Sequence, residues 1–243
     1  MGVGKSASVF DAGVGNAGPP PQEFGGGSNS PGGSGPDYGE RLRRARLGLA
    51  IALTPVLMLF LSFTAAYAIR QHWLLPEPGM MSLGSEFPSY LPWTLFAFNT
   101  FVLLASSFAI ERARRSITRQ AALAPVKSIP GVSLGNERTL PWLEIATALG
   151  FLFLFCQWMA WRELQLRGFF LATTAGATFV YIITGMHAVH LLGGLGGMLY
   201  AIIGSLRKRV LDAQRIVIDV TAWFWHFLGL LWIYILVLLL IAR

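Results

Sequence analysis

Few side chains in this sequence are equipped for chemistry, and most of those stand inside long apolar stretches. His187 and His190 are three residues apart, so in a helix they share one face. His226 lies in a later apolar stretch, flanked by Trp223, Trp225 and Trp232. Neutral imidazole is a common ligand for metals and haem. A haem held by two histidines needs them on facing helices, which His226 with His187 or His190 would supply. Hydrogen bonding between helices, contact with lipid headgroups and proton relay are the other chemistries open to these rings. No carboxylate or cysteine stands beside them to complete a non-haem metal site.

The remaining polar groups in apolar surroundings are Asn99, Thr100, Glu144, Gln157 and Asp219. A polar group in a membrane span is costly, so each is a functional suspect. Glu144 and Asp219 are expected in the first turns of their helices, where a carboxylate suits the positive end of the helix dipole. Gly193 and Gly197 form a small-xxx-small pair that would let another helix approach closely. Trp93, Trp142, Trp158 and Trp161 stand near the ends of apolar runs, as interfacial anchors do. There is no Gly-x-Ser-x-Gly elbow for serine chemistry, and the single cysteine, Cys156, can form no internal disulfide.

The elements that must carry these residues follow from composition. The chain is 54% apolar and only 13% charged, where a soluble domain carries about 25% charged residues. That excludes most soluble enzymes and points to an all-α polytopic membrane bundle. A bilayer core of roughly 30 Å takes about 20 apolar residues per helix. Five runs qualify: 47–69, 90–111, 140–161, 168–206 and 216–242. Splitting the long fourth run would need a turn near Gly185, where no proline or charge supports one.

Charge placement agrees with five spans. With an odd number of crossings, Lys5, Arg41, Arg43, Arg44 and Arg46 share a side with Arg112, Arg114, Arg115, Arg119, Lys127 and Arg138. Arg207, Lys208, Arg209 and Arg215 join them, leaving Arg70, Arg162, Arg167 and Arg243 opposite. The positive-inside rule then places the N-terminus in the cytoplasm and the C-terminus outside the cell membrane. The net charge of +7 records this topology, and no basic face with interleaved aromatics exists to bind nucleic acid.

Residues 1–46 read as a flexible Gly/Pro/Ser-rich tail that cannot bury enough apolar surface to order itself. Gly2-Val3-Gly4-Lys5-Ser6 is only the end of a phosphate-loop pattern and no strand precedes it. Met1-Gly2 with Ser6 fits a myristoylation pattern that a five-span protein hardly needs. The domains are thus this tail and a transmembrane domain over 47–243.

Four strings in order carry a resemblance. Thr184-Gly185-Met186-His187-Ala188-Val189-His190-Leu191-Leu192-Gly193-Gly194 resembles a signature of subunit III of the haem-copper terminal oxidases. Asn99 to Ser107 resembles the start of that family's fourth helix, and Leu149 to Phe153 with Gln157 and Trp161 its fifth. Asp219, then Ala222-Trp223-Phe224-Trp225-His226-Phe227 and Trp232, resembles its last helix.

The fuller form of the family has seven helices, and the five spans here match the last five. The family's buried glutamate falls near Val56, beside Pro55, and two further acidic positions hold Ala160 and Gly229. The resemblance implies an accessory subunit of a respiratory oxygen reductase, free of cofactors itself, with phospholipid bound. Haem and copper would belong to partners, subunits I and II, alongside a small fourth subunit. Asn99, Gln157, His187, His190, Asp219, Trp225 and His226 would then make helix–helix or lipid contacts. A b-type cytochrome using His226, and a subunit associated with nitric-oxide reductase, are the alternatives.

Overall fold

The computed structural model describes residues 37–73, 92–127, 140–171, 175–207 and 210–241. The glycine-rich segment up to residue 36, with both motif-like strings at its start, lies outside these residues. Five helices make up the described chain: α1 Tyr38–Trp73, α2 Trp93–Lys127, α3 Leu140–Leu166, α4 Ala175–Leu206 and α5 Leu211–Ile241. Each is long and apolar enough to cross a membrane.

Helix ends differ from span ends because hydropathy reports the bilayer, not the backbone. The Arg41 amide donates to the Asp37 carbonyl at 3.0 Å, so α1 starts well before residue 47. Residues 38–46, read from composition as tail, are helical. Glu40 pairs with Arg44 one turn on, an arrangement that supports an exposed first turn. Similarly, α2 continues past Glu111 to Lys127. Its basic residues 112–119 therefore ride on a helix, where the apolar pattern places a connecting loop.

The apolar run 168–206 is not one helix. The Gly168 amide donates to the Gln165 carbonyl at 3.0 Å and the Phe169 amide to the Leu164 carbonyl at 3.1 Å. These are the two bonds of a Schellman cap, with Gly168 in the left-handed region at φ 83°. α3 stops there although apolarity does not, and α4 begins only at Ala175. The Tyr181 hydroxyl donates to the Phe169 carbonyl at 2.9 Å, tying α4 back to this turn.

α5 is the hub of the bundle. It packs against α1, α2 and α4, while α3 closes the far side against α2 and α4. α1 and α2, though consecutive, do not touch along their backbones; α5 lies between them. Trp225 and Trp232 of α5 are fully buried, together with Phe60, Phe96 and Phe153. Between helices in lipid there is little water to exclude, so close packing and buried hydrogen bonds must hold such a core.

Candidate functional site

At the centre of the bundle, polar and aromatic groups interlock. Asn99 of α2 donates through Nδ2 to Gln157 Oε1 of α3 at 3.3 Å, with both residues buried. One turn away on each helix, Phe96 and Phe153 meet Trp232 of α5 edge to face, at 6.0 and 4.9 Å between ring centroids. The Trp232 indole donates to Thr100 Oγ1 at 3.1 Å. His187 of α4 completes the layer, with its ring 5.3 Å from Trp232 and 5.9 Å from Phe153. Four helices are joined in this single layer.

A second joint is steric. Trp225 is wholly buried in a slot opened by two glycines on different helices. A Cβ at Gly150 would come within 2.9 Å of the Trp225 ring and 2.7 Å of Leu195, and one at Gly194 within 2.9 Å of the Trp225 ring. Gly193 faces open space, so the close approach of α4 to α5 runs through Gly194 and Gly197, not through the pair Gly193 and Gly197. Gly197 sits against Thr221, where a Cβ would lie 3.2 Å from Oγ1.

At the basic end, charges are knitted across three helices. Asp219 accepts two bonds from Arg46 of α1, at 2.8 and 3.0 Å, and a third from Arg114 of α2 at 3.2 Å. Arg114 in turn donates twice to Glu111, at 2.8 and 3.0 Å, and Arg115 donates to the same carboxylate at 2.9 Å. His226 Nε2 lies 3.7 Å from Glu111. The first-turn reading of Asp219 does not survive: it lies in the third turn of α5, whose first-turn acid is Asp212. Glu144 is exposed in the second turn of α3, which has no acidic residue in its first.

The three histidines take three different settings. His187 is enclosed by aromatic rings and neither ring nitrogen has a hydrogen-bond partner. His190 packs on Phe60 of α1, its Nδ1 2.7 Å from the Met186 carbonyl. His226 faces Glu111. Among the described residues no group of three or more His, Cys, Asp or Glu is gathered to hold a metal ion. Of the tryptophans read as anchors, Trp142 and Trp158 are exposed beside Arg112 and Arg162. Trp161 instead turns inward, donating to Thr184 of α4 at 3.1 Å.

The central layer and the Trp225 slot draw mainly on the strings that carry the resemblance, as does Asp219 at the basic end, and sequence comparison agrees. The profile of the cytochrome c oxidase subunit III family matches residues 41–242. The chain belongs to that family. A subunit III protein from Oncorhynchus clarkii is 23% identical over 192 residues, covering 79% of this chain and 67% of that protein. A probable cytochrome c oxidase subunit 3 of Nocardia farcinica is 27% identical over 192 residues, covering 77% and 82%. One from Mycobacterium tuberculosis is 27% identical over 134 residues, covering 55% and 59%.

As a subunit III, the chain is a multi-pass membrane component of a haem-copper oxidase, working in a complex with other subunits. Several residues that hold this subunit together escape a reading of its sequence. Arg46 reaches Asp219 across 173 positions, and Thr64 receives the Tyr234 hydroxyl at 2.8 Å across 170. Gly194 looks no different from its neighbouring glycines, and Gly150 is an isolated glycine in an apolar run, until Trp225 is placed. Only the Glu111–Arg114–Arg115 spacing is a local signal, because residues three and four apart meet on a helix.

Proposed function

We propose that this chain is the accessory subunit of a respiratory oxygen reductase, packed against subunit I. In that place it stabilises the core, keeps phospholipid at its flank and supports proton uptake. The observation that carries this reading is how the polar interior is used. Asn99, Gln157, Asp219 and Trp232 are engaged in joints between this chain's own helices, and His187 is walled in by aromatic rings. The outward faces are large and apolar, with Phe98, Phe101, Phe151 and Phe155 exposed, and so suit a helical partner or lipid. Haem and copper belong to subunits I and II in this arrangement, and a small fourth subunit completes it. The basic ends of the helices face the cytoplasm and the complex sits in the cell's inner membrane.

Affinity purification through a tag on this chain, followed by mass spectrometry and visible spectroscopy, tests the reading. Subunits I and II should co-purify with haem absorbance, while the chain purified alone should show no Soret band. Proton uptake during turnover, followed with a pH indicator, should slow when the chain is depleted from the complex. A Soret band in the isolated chain that His226→Ala abolishes would favour the b-type cytochrome instead. Recovery of a nitric-oxide reductase core as the partner would equally overturn the proposal.

A further inference from the structure

Unpaired polar atoms are rare inside a folded protein, and each calls for a physical reason. Among the described residues, five buried side-chain atoms have no hydrogen-bond partner. They are Asn99 Oδ1, Gln157 Nε2, both ring nitrogens of His187 and the Trp225 indole nitrogen. Four of the five belong to the central layer of the bundle. Between helices in a bilayer no bulk water relieves such groups, so partners must be found inside.

Helix register brings these side chains to one level. α3 and α4 run antiparallel, with Thr147 against Met198 and Trp161 against Thr184. Gln157 therefore stands level with Ala188, beside His187. The Asn99–Gln157 bond sets α2 at the same height. Trp232, which donates to Thr100 and rests against His187, sets α5 there too. His187 enters the layer through ring contacts alone, while its nitrogens are unspent.

The chemistry left over is mixed. Asn99 and Gln157 share one bond, so one amide keeps a free acceptor and the other a free donor. Exchanging both amide orientations reverses the bond and leaves the same balance. Neutral imidazole adds one donor and one acceptor. A cation here would face the Gln157 N–H groups, and an anion the Asn99 oxygen and the imidazole lone pair. What fits is a molecule that donates and accepts at once. It must also be small, since Asn99 and His187 are 0% exposed and Gln157 1%.

We propose that the centre of the bundle holds an ordered water that bridges the Asn99–Gln157 pair to His187. It accepts from Gln157 Nε2 and donates to Asn99 Oδ1 and to the unprotonated nitrogen of His187. Three partners are about the usual complement of a buried water. The remaining imidazole N–H is left to the surrounding aromatic faces, which are weak acceptors. The bridge gives His187 of α4 a polar tie to α2 and α3. Trp225 is the contrasting case, about 10 Å away along α5. It is wedged against Gly150 and Gly194 with no second unpaired group, and it stays dry. The inference holds whichever subunits the chain joins.

The test uses the full chain in bilayers of deuterated lipid, with isotope-labelled nitrogen in its histidine and tryptophan side chains. The sequence has four histidines, and the resonances lost in His187→Phe assign that ring. Solid-state NMR then follows magnetisation passed from water protons to each ring nitrogen. His187 should receive it well ahead of the Trp225 indole. Asn99→Leu, which removes one partner of the water, should abolish most of the transfer to His187. Partly exposed His226 should keep its own.

Transfer to His226 with none to His187 would show a dry centre and overturn the proposal. Equal transfer to His187 and Trp225 would be magnetisation diffusing through the protein, and would overturn it as well. Transfer that survives Asn99→Leu undiminished would remove the bridge. If that variant does not fold, the contrast between His187 and Trp225 in the wild-type chain decides alone.

Discussion

Single residues in this chain matter through what their neighbours leave room for. The Trp225 ring is rigid, and a Cβ added at Gly150 or at Gly194 would come within 2.9 Å of it from two helices. Gly194→Ala should therefore cost about 1–3 kcal/mol, the usual penalty for forcing a methyl into a packed core. Gly193→Ala and Gly196→Ala, facing open space, should be neutral or stabilising by up to about 1 kcal/mol. Thermal unfolding in detergent separates the two outcomes, and equal losses at 193 and 194 would refute the slot. The Asn99–Gln157 pair makes a second residue-scale prediction. Asn99→Leu should cost about 1–3 kcal/mol, since Gln157 stays buried with its carbonyl unpaired. A double-mutant cycle with Gln157→Leu should return a coupling of about 0.6–2 kcal/mol, and zero coupling would remove the bond from the account.

Among the elements, α1 stands out because it is held so lightly. Its described contacts are with α5 and α4 alone, through Arg46–Asp219, Phe60–His190, Thr64–Tyr234 and Tyr67 stacked on Phe179 at 4.1 Å. Asp219 is nearly buried while Arg46 is half-exposed, so the ion pair falls between the weak exposed and strong buried classes. Asp219→Asn should loosen α1 by about 1–3 kcal/mol. Hydrogen exchange should then rise along α1 while α3 and the α4–α5 contact keep their protection. A uniform rise across all five helices would mean that Asp219 supports the whole bundle rather than this one arm. How legible these elements are in sequence depends on the signal used. Apolar runs locate all five helices, because a bilayer demands about 20 apolar residues whatever their order. They misplace the ends, because the start of α1 is set by Asp37 and the stop of α3 by Gly168, and neither alters hydropathy.

At the scale of the whole molecule, the proposed topology has the five helices crossing the membrane with their basic ends in the cytoplasm. Reporter fusions after Gln120 and after Gly168 should report cytoplasmic and external locations respectively, and the reverse result would invert the topology. The proposed partners act at this scale too. The exposed phenylalanines of α2 and α3 lie on faces that none of the described helices covers, so aspartate substitution at Phe101 should weaken recovery of the oxidase core without unfolding the chain. Unchanged recovery would move the partner interface elsewhere.

Composition and spacing alone determined that the chain is a helical membrane bundle, how many times it crosses, and which strings carry its family character. These properties are local, since each apolar run meets the bilayer by itself and each motif occupies one helix. Only the tertiary structure decided which polar groups meet. Asp219 reads in sequence as a helix-start carboxylate and becomes the bridge between α1 and α2. Gly193 looks like the packing glycine, but Gly194 receives the indole. Partner choice in the membrane depends on the rotation of each helix about its axis, a quantity fixed by packing against all its neighbours at once.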